Sequence, residues 1–324
     1  MHDAMTLKQY YKKYSSDIDK AISSALVEDK VYNDITTNIL LKGKNGRRKI
    51  SAVLLCKEDC IASGLEIFKR VYRKIDPRCK FKLNYKDGDF IRNKQKVLEV
   101  QSSLQNLLIG ERISLNFVQR MSGIATLTNY FVKKLRFKGA KILHTRKTTP
   151  NFRVFEIAAV KTGGGDFYRF SLASSVMVKD NHIAASGSIE NVLKILHGKK
   201  NIPSKTVIEV KNFNELKQVL DNGKGIINTV MLDNFKQTEL YKAIKMLKEK
   251  RFKVEISGGI NMKNFLSKQR KGIDFYSIGM LTHSYKSVDF SLEFWTKLEN
   301  FIKDFFKLLA IFKGFLIDYL PKIA

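Results

Sequence analysis

The spacing of apolar residues changes near residue 140 of the 324-residue chain. Before that point two periods mix. Residues 15–41 carry a short helical pattern, DIDKAISSALVED followed by DITTNILL, with Asp34 placed to cap ahead of Thr36 and Thr37. Residues 49–63 and 79–101 alternate or run apolar, with a turn at KDGD (86–89), and predict strands of a small sheet. Residues 65–75 predict a helix. Residues 103–136 predict a long one, because Ile113, Phe117, Met121, Ile124 and Leu127 recur at helical spacing.

After residue 140 short β-branched runs return at regular intervals: KILHT (141–145), VMVK (176–179), VIEV (207–210), TVMLD (229–233), KVEIS (253–257) and FYSIG (275–279). Helix-length segments such as SIENVLKILHG and QTELYKAIKMLKEK separate most of them. Strand–helix alternation of this kind predicts a parallel sheet or an α/β barrel. Strands this apolar must be covered on both faces.

The residues that follow each run carry the candidate chemistry. Arg146 and Lys147 follow the first, Lys179 ends the second, Glu209 lies in the third and Asp233 closes the fourth. Ser257, Gly258 and Gly259 follow the fifth, and Gly279 ends the sixth. In a barrel these strand ends share one rim, where catalytic groups gather. Each alone reads equally well as a solvated loop; six strands ending alike favour a shared mouth. Glycines after strands let backbone N–H groups approach a phosphate. Arginine forks suit carboxylates, and lysine supplies a point charge. Arg146, Arg169 and Lys179 together would hold a dicarboxylate. Lys147 could face a pyrophosphate, and Glu209 and Asp233 could hold Mg²⁺ or ribose hydroxyls.

Composition adds less. With 59 basic and 31 acidic residues the formal net charge is +28, which raises nucleic acid, membrane or anionic substrates as partners. The lysines are spread along the chain, and no RNP-like motif, helix-turn-helix or zinc module supports nucleic-acid binding. Three cysteines without a matching pair argue against zinc and suit a reducing, cytoplasmic compartment. The N-terminus lacks the apolar stretch of a signal peptide.

Several long stretches are familiar. EDKVYNDITTNILL (28–41), ERISLNFVQRMSGIATLT (111–128), HTRKTTPNFRVFEIAAVKTGGG (144–165), VMVKDNHI (176–183), MLDNF (231–235), ISGGI (256–260) and SIGMLTHS (277–284) resemble the quinolinate phosphoribosyltransferase family, in collinear order over about residues 20–292. The resemblance implies an α/β fold: an N-terminal α/β sandwich domain (1–123, joined by part of 285–300) and an open, TIM-like α/β barrel of six to seven strands (124–284). It implies decarboxylating phosphoribosyl transfer from phosphoribosyl pyrophosphate to quinolinate, with Mg²⁺, giving nicotinate mononucleotide for NAD biosynthesis. It also implies a homodimer with shared active sites, in which Arg112 enters the neighbour's site. Arg146, Arg169 and Lys179 match the family's quinolinate-binding cations. Lys147 and Asp233 match groups near phosphoribosyl pyrophosphate and its Mg²⁺, and Glu209 joins them as a candidate catalytic and metal-binding carboxylate. Gly258, Gly259 and Gly279 match the 5′-phosphate cradle, with Ser257 beside them as a further candidate.

Two positions depart from the family pattern. Phe167 and Tyr168 precede Arg169 where the family has Asn-His, and Lys211 stands where the second glutamate of Glu-x-Glu belongs. Tyr168, still a substrate-binding position, cannot become a cation near neutral pH. The departures leave room for a ModD-like, molybdenum-associated paralogue using another aromatic acid, or for a catalytically poor relative with a binding role. Residues 293–324 predict an amphipathic C-terminal helix, expected to pack on the protein itself in preference to a membrane surface.

Overall fold

The computed structural model describes residues 5–41, 44–200, 202 and 206–295. The chain opens with two helices, α1 (Leu7–Lys13) and α2 (Ser15–Glu28). Thr6 caps α1 through a reciprocal capping box with Gln9. The helical pattern over 15–41 is interrupted at Lys30, whose φ is +48°, and resumes as α3 (Ile35–Leu40). Asp34 caps α3, accepting from the Thr37 amide, as its position in the sequence suggested. After the short α4 (Lys44–Arg47), strand β1 (Lys49–Cys56) begins the first sheet.

A brief strand β2 (Cys60–Ile61) leads to α5 (Leu65–Ile75). This helix buries Leu65, Ile67, Phe68, Val71 and Tyr72, and sends Glu66, Lys69 and Arg73 outward. Strands β3 (Lys80–Leu83), β4 (Phe90–Ile91) and β5 (Lys96–Ser103) follow. The spine is α6 (Leu104–Lys133), 30 residues capped by Ser103. At 1.5 Å per residue it is about 45 Å long, enough to run from the first sheet to the second.

The second sheet starts with β6 (Lys141–Leu143) and α7 (Arg153–Thr162). It continues through β7 (Val176–Val178), α8 (Asp180–Ser186), α9 (Ile189–His197), β8 (Thr206–Val210) and α10 (Phe213–Asn222). It ends with β9 (Thr229–Asp233), α11 (Gln237–Glu249), β10 (Lys253–Ser257), α12 (Phe265–Lys268), β11 (Phe275–Ser277) and α13 (Met280–His283). The six strands are parallel in the order β6-β11-β10-β9-β8-β7, the cyclic order of a barrel left open between β6 and β7. At that gap a single bridge joins Leu143 to Asp166. The segment after Asp166, which holds Tyr168 and Arg169, therefore starts beside β6.

The chain then returns. Strand β12 (Phe290–Trp295) pairs antiparallel with β1, giving the sheet order β12-β1-β5-β3. The return path crosses α6 at Gly123, where an added Cβ would lie 2.2 Å from the Lys286 carbonyl oxygen. Residues 293–295, which the sequence assigned to the tail helix, are instead the end of a strand, because pairing with β1 extends to Ser51. The rest of that tail lies outside the described residues. No helix among the described residues is long and apolar enough to cross a membrane.

Candidate active site

The strand ends of the barrel surround a cleft of about 750 Å³. Arg146, Lys147, Tyr168, Arg169, Lys179, Glu209, Asp233, Ser257, Gly258, Gly259 and Gly279 all line it. Eleven of the twelve positions singled out from the sequence thus share one mouth, though they span more than 130 residues of chain. Arg112 is the exception. It is exposed on α6 and lines a separate cleft of about 1100 Å³ with Asp17, Lys20, Glu28, Asn116 and Arg120.

The loop after β6 is held from behind. Buried Glu156 on α7 accepts from the Thr149 amide at 3.1 Å and from the Thr149 hydroxyl at 2.8 Å. Arg153 donates to Thr148 Oγ1 at 2.9 Å and to the Phe170 carbonyl at 3.0 Å. The backbone of Lys147 is pinned by Thr282, whose hydroxyl donates to its carbonyl oxygen at 2.7 Å. These bonds use the backbone and the threonines, and leave the Arg146 and Lys147 side chains toward solvent and cleft.

Across the mouth the cations differ in pairing. Lys179 Nζ lies 2.6 Å from Glu209 Oε2, an oxygen on a side chain almost wholly buried. Arg169 has no carboxylate partner among the described residues. It donates weakly to the Leu172 carbonyl at 3.4 Å, and its Nε is buried with no partner among them. Burial first, and then the Arg146 guanidinium, push the Arg169 pKa down. Two guanidinium groups crowded at one wall without a counter-charge create a demand for an anion.

The carboxylates sit opposite. Asp233 ends β9 with one oxygen bonded by the Asn234 side-chain amide at 2.9 Å. Lys211, the charge reversal seen in the sequence, lies just past β8, and its ammonium pairs with Asp180 Oδ2 at 2.7 Å. Asp180 raises the Lys211 pKa, and Lys211 in turn lowers that of Asp180. The reversed charge is therefore balanced by a neighbour, and Lys211 does not line the cleft.

Gly258 shows why glycine follows β10. Its φ is +93°, and a Cβ there would lie 2.2 Å from Asn234 Oδ1. Only glycine lets the two loops meet. Lys268 Nζ donates to the Gly258 carbonyl at 2.6 Å, fixing the turn from outside.

The sequence missed Glu255. It lies in β10, fully buried, and accepts from the Tyr168 hydroxyl at 2.6 Å and from Ser277 Oγ at 2.5 Å. Burial pushes its carboxyl up to about 7. The Tyr168 amide donates to His144 Nε2 at 3.0 Å, so this residue is tied at both backbone and ring to groups under the cleft. A charged residue inside an otherwise apolar strand was the available signal.

Known proteins resemble most of this chain. Residues 34–122 match the description "Quinolinate phosphoribosyl transferase, N-terminal domain", and residues 124–293 match the corresponding C-terminal domain. The probable nicotinate-nucleotide pyrophosphorylase [carboxylating] of Methanocaldococcus jannaschii is 37% identical over 285 residues, covering 85% of this chain and 96% of that protein. The chloroplastic nicotinate-nucleotide pyrophosphorylase [carboxylating] of Arabidopsis thaliana is 34% identical, covering 87% and 84%. The crystal structure of NadC from Streptococcus pyogenes superposes with a TM-score of 0.79 at 35% identity, over 86% of this chain and 97% of that one.

Proposed function

The chain belongs to the quinolinate phosphoribosyltransferase family, and from that premise we propose that its cation-lined cleft transfers phosphoribosyl from phosphoribosyl pyrophosphate to quinolinate, releasing pyrophosphate and CO2. The product is nicotinate mononucleotide, a precursor in NAD biosynthesis. The observation that carries this reading is Arg169: half-buried with its Nε buried and unpaired, beside Arg146, and without an anionic partner among the described residues. A dicarboxylate supplies the missing charge.

In this reading Arg146, Arg169 and Lys179 grip the two carboxylates of quinolinate and aim its ring nitrogen at C1′ of the ribose. Lys147 faces the pyrophosphate. Ser257, Gly258, Gly259 and Gly279 receive the 5′-phosphate, with backbone exposed by the glycine turns. Glu209 and Asp233 face the ribose and stabilise the positive charge that develops at C1′ as pyrophosphate leaves. The ring nitrogen then bonds to C1′ and becomes cationic. Its positive charge stabilises the electron pair left on the neighbouring ring carbon when the carboxylate departs as CO2, and that pair takes up a proton. No protein nucleophile is needed; orientation of the two reactants supplies much of the rate.

The donor set suits Mg²⁺, which takes oxygen ligands and commonly needs only one or two protein carboxylates beside substrate phosphates. Asp233 and Glu209 would hold the ion. Bound Mg²⁺ would supply neutralisation of the pyrophosphate charge.

A cytoplasmic homodimer is part of the same proposal. Cys56, Cys60 and Cys79 are buried free thiols, which suits a reducing compartment. Arg112, exposed and outside its own chain's cleft, is then supplied to the cleft of the partner. Incubation with both substrates and Mg²⁺ tests the reaction: nicotinate mononucleotide and pyrophosphate should appear in equal amounts. Absence of the nucleotide with quinolinate contradicts it.

A further inference from the structure

Helix α1 lies outside the cleft, yet it touches the loop that carries two of the cleft's residues. The Tyr10 ring lies flat on Phe167, with centroids 4.7 Å apart and planes 10° apart. The Tyr14 ring lies flat on Phe170, at 4.5 Å and 15°. Tyr10 and Tyr14 are four residues apart, on one face of the helical turn, and their own rings are 4.7 Å apart. Phe167 and Phe170 bracket Tyr168 and Arg169, so the two stacks grip the loop on either side of its cleft-facing pair.

Hydrogen bonds hold Tyr168 and the Phe170 carbonyl, but the Arg169 side chain itself is weakly held. Residues 167–170 belong to no helix or strand. Arg169 donates only one long bond, to Leu172. The grip itself is anchored in the core: Tyr10 is buried, and its hydroxyl donates to the Val154 carbonyl of α7 at 2.9 Å. A guanidinium that must meet a carboxylate with fork geometry tolerates little sway in its backbone.

We propose that Tyr10 and Tyr14 are positioning residues of the substrate socket: by stacking on Phe167 and Phe170 they hold Arg169 in register with Arg146. The inference rests on the reading of Arg169 as a carboxylate-binding group. It makes α1 part of the recognition of the aromatic acid, although neither tyrosine lines the cleft.

Steady-state kinetics of the full-length protein test it, together with amide hydrogen exchange of residues 166–172 in the substrate-free state. Tyr14→Ala, at a half-buried position, keeps the Tyr10 anchor and the fold. It should raise the quinolinate KM by about tenfold, the scale of one lost aromatic pair, leave the phosphoribosyl pyrophosphate KM unchanged, and speed exchange across the loop. Tyr14→Phe keeps both stacks and the Tyr10 anchor, and should retain the wild-type quinolinate KM. An unchanged quinolinate KM in Tyr14→Ala overturns the proposal, and so does an equal rise in both KM values. A wild-type protein inactive on quinolinate would instead refute the reaction. Exchange then decides the clamp alone: faster exchange in Tyr14→Ala upholds it and unchanged exchange overturns it.

Discussion

The hydroxyl of Tyr168 donates to Glu255 across 2.6 Å, joining the loop beside the cleft to a carboxyl buried in strand β10. Ser277 donates to the other oxygen, while Lys179 and Glu209 act on the same group from a distance with opposite sign. Tyrosine at this position thus fills the role of a neutral donor to the barrel interior, where a histidine would bring a titratable cation.

That pairing predicts a pH dependence. Burial raises the Glu255 pKa from 4.5 to about 7, so between those values the folded protein holds a proton that the unfolded chain has lost. The associated stability is fully present below pH 4.5 and declines as pH rises toward 7, by on the order of 3 kcal/mol. Glu255→Gln keeps one acceptor oxygen, lets the other hydroxyl turn to accept from the amide NH2, and cannot ionise. Denaturant midpoints at pH 5 and pH 8 should show the variant gaining on wild type at the higher pH. Parallel curves would refute the assignment.

Removing a cation from the cleft should abolish turnover without unfolding the chain. Arg169→Ala and Lys179→Ala are each predicted to lower kcat/KM for quinolinate by about a hundredfold or more, the usual scale for losing one partner of a buried charge pair. Arg169→Ala should leave Tm close to wild type, since it relieves repulsion with Arg146. Circular dichroism melts beside the kinetics separate lost binding from lost fold.

Gly258 permits one backbone geometry that alanine does not. With φ at +93° and Asn234 Oδ1 2.2 Å from the would-be Cβ, Gly258→Ala should cost about 1–3 kcal/mol. It should also raise the KM for phosphoribosyl pyrophosphate above that for quinolinate. Urea titration and separate substrate curves provide the check.

Lys211→Glu restores the residue type of the family pattern but places a carboxylate against Asp180, now paired at 2.7 Å with the lysine. Like-charge repulsion beside Glu209 and Asp233 predicts a several-fold fall in kcat/KM, larger than in Lys211→Met. A rise in activity would mean that the cleft still fits a glutamate there.

A shared site predicts complementation. Arg112→Ala and Lys179→Ala proteins, each inactive, should regain about a quarter of wild-type activity when unfolded, mixed and refolded as random dimers, because half are mixed and each mixed dimer has one intact site. No recovery would place Arg112 outside the partner's cleft.

Much of the cleft was legible because a barrel converts strand order into spatial order. Once KILHT, VMVK, VIEV, TVMLD, KVEIS and FYSIG read as parallel strands, the residues at their ends had to converge. Gly258 and Gly259 stood out by type alone. What stayed hidden depends on partners distant in sequence. Tyr168 and Glu255 are 87 residues apart, and no local pattern joins them. The Lys211–Asp180 pair spans 31 residues and turns an apparent charge defect into a balanced one. Helix α1 reads as polar, LKQYYKK, and only its buried tyrosines disclose that it packs. Residues 293–295 fell at the start of the expected tail helix because Glu293, Phe294 and Trp295 suit either element, and pairing with β1 decides.

The central claim is that both reactants meet in the single cleft and that decarboxylation follows ring alkylation. Release of labelled CO2 from quinolinate carrying the label in its 2-carboxylate tests it most directly. The account predicts release only when phosphoribosyl pyrophosphate is present, in step with nicotinate mononucleotide. Release without phosphoribosyl pyrophosphate, or none with it, would contradict the account.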